Sequence, residues 1–288
     1  MALRINYNNA SLQAQRGLDA SETVRQRASA QLSSGLRINQ ASDDTAGMAV
    51  SEKLKNQVRG LNQAHRNAQD GISLLQTAEG GLTEIHSILG RMRELSVQAA
   101  SDTLVDADRT NIDAEFTQLK AEITRIAHAV NFNGTTLLNR AASTNLTLQI
   151  GSNSGATNQF TIALTNNIAG VTGTAAGATD GLGILDVGQA SVTTRALAST
   201  SITSLDAAIT QVSTNRANIG AMQNRLESAS RSIAVAAENT AAANSRVADA
   251  DIASAMSEMV RAQILQQAGI SVLAQANQAP ALVLQLLR

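Results

Sequence analysis

Leu54-Lys-Asn-Gln-Val-Arg-Gly-Leu61-Asn-Gln-Ala64-His-Arg-Asn-Ala68 opens a stretch in which an apolar residue returns every seventh position: Leu54, Leu61, Ala68, Leu75, Leu82 and Leu89. A second row, Ala64, Ala78, Ile85 and Met92, lies three residues on. Positions three and seven apart fall on one side of an α-helix, so the segment predicts a long helix with a narrow apolar seam. A helix of that kind is not stable alone and needs other helices along its length. The partner supplied by the chain itself is the run Leu205, Val212, Ile219, Leu226 and Ile233, more than a hundred residues further along and built on the same step of seven. The fold class that follows is mainly α. It is a long antiparallel helical rod, a coiled-coil bundle formed by the N- and C-terminal regions, with a small β-hairpin region in the middle.

Outward from the first seam, Ser42-Asp43-Asp44 reads as an N-cap, with two carboxylates at the positive end of the helix dipole. The long helix then runs to about Ala100, roughly 80 Å at 1.5 Å per residue. Gly71, Gly80 and Gly81 fall inside it, where each costs about 1 kcal/mol against Ala, and they are expected at points of close packing. Before it, Leu12, Leu18, Val24, Ala28, Leu32 and Leu36 suggest a helix that stops near Ser33-Ser34-Gly35. After it, Ile112, Phe116, Leu119, Ile123, Ile126 and Val130 alternate steps of four and three, and this third helix ends at the turn signal Asn131-Phe-Asn-Gly134.

Between 141 and 200 only Asp180, Asp186 and Arg195 are charged, and the alternations Leu146/Leu148/Ile150 and Phe160/Ile162/Leu164 have strand period. Joined by residues 151–155, they predict a small hairpin with a flexible tail. Helix is expected again from near Thr203 to about Val247. The last forty residues hold Met256, Met259, Val260, Ile264, Leu265, Ile270, Leu273, Leu282, Leu286 and Leu287. With the first forty they form two short apolar helices that have only each other within one chain. Such a pair buries little and should be mobile until copies pack together.

Composition removes several function classes. The 288 residues include Tyr7, Phe116, Phe132 and Phe160 as the only aromatics, which favours thin Leu/Ile/Val/Ala layers over a deep ligand pocket. A formal net charge of -1 gives no footprint for nucleic acid, and Cys is absent, so neither disulfides nor thiolate metal sites arise. Met1–Ala20 lacks the apolar core of a cleaved signal peptide, and no segment approaches the ~20 apolar residues of a membrane span. His65, His86 and His128 have no metal-ligand spacing, and no Gly-x-x-x-x-Gly-Lys phosphate loop occurs. Asp43-Asp44 fits a cap far better than acid/base chemistry. No catalytic, cofactor or metal site is expected, and the chain reads as a non-enzyme. Asn9, Asn133 and Asn145 begin Asn-x-Ser/Thr triplets, a weak three-residue pattern.

Several blocks resemble the bacterial flagellin family in order and spacing: Ser33-Ser-Gly-Leu-Arg-Ile-Asn39, Asp43-Asp-Thr-Ala-Gly47, Asn67-Ala-Gln-Asp-Gly-Ile-Ser73, Gln76-Thr-Ala-Glu-Gly80 and Arg91-Met-Arg-Glu-Leu95. So do Ile219-Gly-Ala-Met-Gln-Asn-Arg225, Arg261-Ala-Gln-Ile-Leu-Gln-Gln-Ala268, Ser271-Val-Leu-Ala-Gln-Ala-Asn277 and the closing Leu286-Leu-Arg288. The resemblance covers about 1–140 and 200–288 and is to a short form without large outer domains. It implies terminal inner-core helices at 1–44 and 248–288 that order on polymerisation, a helical outer-core rod at 45–140 and 200–247, and a small hairpin and loop region at 141–199 in place of the variable domains.

The resemblance further implies a self-assembling extracellular filament subunit. It would be exported by the flagellar type III system and met by cap, junction and export chaperone proteins, with no nucleic acid and no membrane insertion. A hook–filament junction or type III tip adaptor shares these helical termini and is the competing expectation; the block Arg261–Asn277 favours flagellin. Polymerisation residues are expected at Leu32, Leu36, Ile264, Leu265, Leu273 and Leu286. The Arg-x-Arg-Glu-Leu block resembles the patch sensed by the host Toll-like receptor for flagellin, which nominates Leu89, Arg91, Glu94, Leu95 and Glu115. Gly90 departs from that pattern, since a longer polar residue is common there. No His-Glu-x-x-His peptidase motif occurs in the middle.

Overall fold

The cap signals and apolar rows resolve into five long helices among the residues described by the computed structural model, which are 8–138, 145–163 and 190–286, with 279–286 described by backbone alone. They are α1 (Asn9–Ser34), α2 (Thr45–Ala99), α3 (Asp106–Ala129), α4 (Arg195–Ala248) and α5 (Ile252–Leu286). Two antiparallel pairs accompany them: β1 (Asn131–Phe132) with β2 (Thr135–Thr136), and β3 (Leu146–Gln149) with β4 (Gln159–Ile162). The chain divides into two compact units, residues 59–237 and the paired segments 1–58 and 238–288. The expected flexible tail and Leu164 lie outside the described residues.

In the unit 59–237, both seven-residue rows are core. Ala68, Leu75, Leu82 and Leu89 of α2 are completely or almost completely buried, as are Leu205, Val212, Ile219 and Leu226 of α4. All of these but Ala68 share one apolar cluster with Phe116, Ile123 and Ala127 of α3 and with Phe160 and Ile162 of β4, while Leu61 and Ile233 meet in a second, smaller cluster with Ala64 and Ala237. The mainly helical fold class is therefore borne out. The seam runs on through Ser96 and Ala99, the next positions of the two rows, and is wider than expected, because Leu74 and Leu95 of α2 are buried too. A helix enclosed by two neighbours buries a broader arc than one lying against a single partner.

Local chemistry sets the ends of these elements. Asp44 caps α2 by accepting the Gly47 N–H on Oδ1 at 2.8 Å, as the carboxylate pair suggested. The turn after α3 places Asn133 at φ 49° and Gly134 at φ 76° between β1 and β2, the two-residue geometry that matches strand twist. The second hairpin pairs Leu146 with Ile162 and Leu148 with Phe160. It lies on α2 through Asn67, whose Nδ2 donates to the Gln149 carbonyl at 2.9 Å.

Close approach explains two of the three helix glycines. A Cβ at Gly71 would collide with Leu148 Cδ1, and one at Gly81 would come within 2.8 Å of both Val130 and Leu138. Gly80 faces open space, so the expectation of close packing fails there. Helix α4 starts at Arg195 rather than near Thr203. Thr194 caps it, accepting the Leu197 N–H at 3.3 Å. The polar residues that read as loop are accommodated, Thr200 donating its hydroxyl to Ala196 O and Ser201 to Ser191 O.

Leu82, only 1% exposed, tests this core. Leu82→Ala should cost about 2–5 kcal/mol in urea unfolding, and Leu82→Asp should prevent the unit from folding because a carboxylate there has no partner. Normal circular dichroism and an unchanged urea midpoint for Leu82→Asp would show that the row is not core.

Candidate interaction surfaces

Helix α5 sets two kinds of apolar side chain on opposite duties. Ala255, Ala262, Gly269 and Ala276 recur every seven residues, and the three alanines are buried. This small-residue row lies toward α1, where Ala28 is also buried and where a Cβ at Gly269 would meet Leu18 at 3.3 Å. Polar bonds fasten the pair: Asn8 Nδ2 to Ala276 O at 2.8 Å, Ser11 Oγ to Asn277 Oδ1 at 3.0 Å, and Gln266 Nε2 to Glu22 Oε2 at 3.1 Å. The large apolar side chains are left in water. Ile252, Met256, Val260, Ile264, Leu265, Ile270 and Val272 are all exposed, Ile264 by 60% and Leu265 by 52%. A groove of about 270 Å³ runs beside them, between Ala20, Ser21 and Val24 of α1 and Glu258, Ala262 and Leu265 of α5.

Of the other residues expected at this surface, Leu32, Leu36 and Leu273 are half-buried, and the Leu286 side chain lies outside the described residues. An alanine interface removes little apolar area from water, a methyl group being worth about 0.8 kcal/mol. The exposed row on α5 is the larger reserve of burial.

The second surface lies on α2 and α3 in the unit 59–237. Arg91 is half exposed; its Nε donates to Glu115 Oε1 at 3.0 Å and its Nη1 to Glu94 Oε2 at 3.1 Å. These two carboxylates hold the guanidinium in its charged form. Arg93, two residues on, turns instead to α4 and donates to Asp206 Oδ1 at 2.6 Å, which holds the Asp206 carboxyl below its ordinary value. Val97 is half exposed and Gly90 borders open space. Leu89 and Leu95, expected on this patch, are 0% and 2% exposed and belong to the core. Leu89 is a member of the seven-residue row and Leu95 falls within the widened buried arc beside it, so the accessible patch reduces to Arg91, Glu94, Glu115 and Val97.

Both halves of this architecture have counterparts in known proteins. Residues 5–143 match the bacterial flagellin N-terminal helical region, and residues 202–287 match the bacterial flagellin C-terminal helical region. The chain belongs to the bacterial flagellin family. It is 45% identical to a flagellin of Halalkalibacterium halodurans over 99% of both chains. It is 42% identical to a flagellin of Bacillus subtilis over 99% of this chain and all of that one. A putative flagellar hook-associated protein from Vibrio parahaemolyticus shares the fold alone, with a TM-score of 0.58 at 17% identity, over 72% of this chain and all of that one.

Flagellins are structural proteins, not enzymes. Among the described residues no three His, Asp or Glu side chains gather in a way that would hold a metal. No described helix is long and apolar enough to cross a membrane.

Two features of this flagellin escaped the sequence reading. The Ala255/Ala262/Gly269/Ala276 row was legible as a repeat of seven, but small residues carry little weight beside the Ile, Leu and Met around them. Arg109 is 6% exposed and gave no signal. It donates to Ala99 O and Ser101 O, both at 2.8 Å, and to Asp106 Oδ1 at 2.6 Å, closing the α2–α3 connection.

Glu22 links α1 to α5 and carries a pH signature. Hydrogen bonds from Arg25, then from Gln26, lower its carboxyl from 4.5 to about 2. A carboxyl depressed on folding stabilises the folded form above its unfolded value and ceases to as pH falls through the folded one. Because Arg25 and Gln26 lie on α1 with Glu22, amide exchange in residues 9–34 should quicken as pH drops from about 4.5 to about 2, after correction for intrinsic rates. Glu22→Gln should flatten that dependence. The same pH dependence in the variant would remove Glu22 as its source.

Proposed function

We propose that the chain is the repeating structural subunit of a bacterial flagellar filament, many copies assembling outside the cell for motility. The observation that carries this reading is the inverted helix α5, with alanines turned to its own partner α1 and Ile264, Leu265 and their neighbours turned to water. A run of large apolar side chains facing away from a helix's own partner normally marks an interaction surface, and among the described residues of α5 that run has no cover within one chain. Further copies supply the cover. Identity to flagellins along 99% of the chain supports the subunit role over that of a junction or tip adaptor.

In this reading, 1–44 and 248–288 are the inner-core segments that become fully enclosed on polymerisation. Residues 45–140 and 200–247 form the outer core, and 141–199 take the place of larger outer domains. The alanine interface between α1 and α5 opens at small cost, which suits passage through the flagellar type III export system with a chaperone on the C-terminal segment. Addition at the filament tip beneath a cap protein, above junction proteins, completes the sequence of partners. The experiment is seeded growth of purified protein followed by electron microscopy. Wild type should form long helical fibres, and Ile264→Asp, which places a carboxylate where burial is required, should raise the critical concentration at least ~tenfold. Monomer helix content and melting should hardly change, since Ile264 is exposed there. Fibres from Ile264→Asp at wild-type concentration would refute the reading.

A host Toll-like receptor for flagellin is the external partner, reading the Arg91, Glu94 and Glu115 patch. Arg91 offers a planar donor fork, a group that often dominates interface energetics. Arg91→Ala should weaken the monomer's cellular response by about tenfold at unchanged stability. Leu95→Ala should instead lower stability by about 2–5 kcal/mol, because Leu95 is core. A full response from folded Arg91→Ala would place recognition on another face.

A further inference from the structure

Two of the places where this chain leaves one long helix for the next, the α1–α2 and α4–α5 connections, are bonded to each other. Gly35, at φ 70°, ends α1, and its N–H donates to Gln31 O at 2.8 Å. The following residues then pair with the α4–α5 connection: Leu36 bridges Asp249, Arg37 N–H donates to Ala248 O at 2.7 Å, and Ala250 N–H donates to Gly35 O at 2.9 Å. The Arg37 guanidinium adds a bond to Val247 O at 2.7 Å. Val247 and Ala248 are the last residues of α4, whose final carbonyls have no partners within their own helix. They are capped by the α1–α2 connection, two hundred residues away in sequence.

Each connection also prepares the next helix from its own residues. Asp43 Oδ2 accepts the Asn39 and Gln40 N–H groups at 3.1 Å, and Asp44 caps α2. Asp251 Oδ1 accepts the Ala253 and Ser254 N–H groups at the start of α5. Gln31 Nε2 returns from α1 to the Arg37 carbonyl at 3.0 Å. Where α2 and α4 continue beside the connections, Ser51 Oγ donates to Asn244 Oδ1 at 2.8 Å, with Ser51 buried.

We propose that residues 35–37 and 248–250 form a latch that makes the ordering of α1 and α5 a single event. With the latch closed, neither connection satisfies its backbone groups without the other, so the two terminal helices leave the ends of α2 and α4 in one fixed register. They are then offered to a neighbouring copy as a pair. The alanine interface between α1 and α5 is too thin to set that register unaided; the latch sets it by geometry. Arg37 is the positioning residue, since it alone uses both its backbone N–H and its side chain to cap α4. The use of the latch in assembly rests on the filament reading, whereas its effect on order within one chain does not.

The test uses the full chain with Arg37→Ala, which removes the guanidinium bond, and Arg37→Pro, which also removes the N–H. Hydrogen exchange by mass spectrometry reads 9–34, 248–251 and 252–278 separately from 59–237. Exchange in all three terminal segments should quicken together, about threefold for Arg37→Ala and at least tenfold for Arg37→Pro, with protection in 59–237 unchanged. Seeded elongation should slow in the same order. The proposal is overturned if the termini of Arg37→Ala keep wild-type exchange, or if α1 loses protection while 248–278 keeps it. Should Arg37→Pro also expose 59–237, Arg37→Ala alone decides. Failure of wild type to elongate would count against the filament reading and leave the exchange result to judge the latch.

Discussion

Burial along the seven-residue rows of α2 and α4 is the constraint on which the unit 59–237 depends. Leu82, Leu89, Leu205, Val212 and their row-mates leave no face of α2 free to choose another register, because a slip of one residue turns each row by about 100°. Everything else in the unit is fitted to that packing. Phe116 and Ile123 of α3 close one side, and Phe160 and Ile162 of β4 add to the same cluster. Polar groups fix position along the rows: Arg93 with Asp206, and Gln223 with Glu79.

The segments 1–58 and 238–288 follow the opposite design. Here the well-buried positions belong mostly to alanine, and the large aliphatic side chains of α5 are in water. Hydrogen bonds at the helix junctions supply the definition that apolar packing does not. A weakly buried pair with exposed aliphatic side chains suits the proposed subunit, whose surface is committed to neighbouring copies. A thick leucine interface between α1 and α5 would satisfy the isolated chain and leave less driving force for association.

Periodicity made the central helices legible, because large apolar residues at a step of seven have few other meanings. The caps were legible for a similar reason: Gly35, Asp44 and Asn133-Gly134 are residue types whose backbone chemistry specifies an end or a turn. The start of α4 was not, since Thr200 and Ser201 carry loop character until their hydroxyls find carbonyl partners in three dimensions. The geometry of the candidate patch was half legible. Arg91 and Glu115 were recognised as neighbours through the family resemblance, and the structure joins them at 3.0 Å. Leu89 and Leu95 were assigned outward although Leu89 already belonged to the apolar row. A single-partner picture of α2 also left too wide a face for solvent. The latch gave no warning at all, as its bonds are mainly backbone to backbone.

The buried arginine between α2 and α3 makes that joint intolerant even of another cation. Arg109 closes the connection by filling two carbonyls and one carboxylate with guanidinium N–H groups. The donors sit on three separate nitrogens of one planar fork and so reach Ala99, Ser101 and Asp106 at once. A lysine would gather its donors on a single nitrogen and leave at least one acceptor without its partner. The shape of the cation, more than its charge, joins the end of α2 to the start of α3.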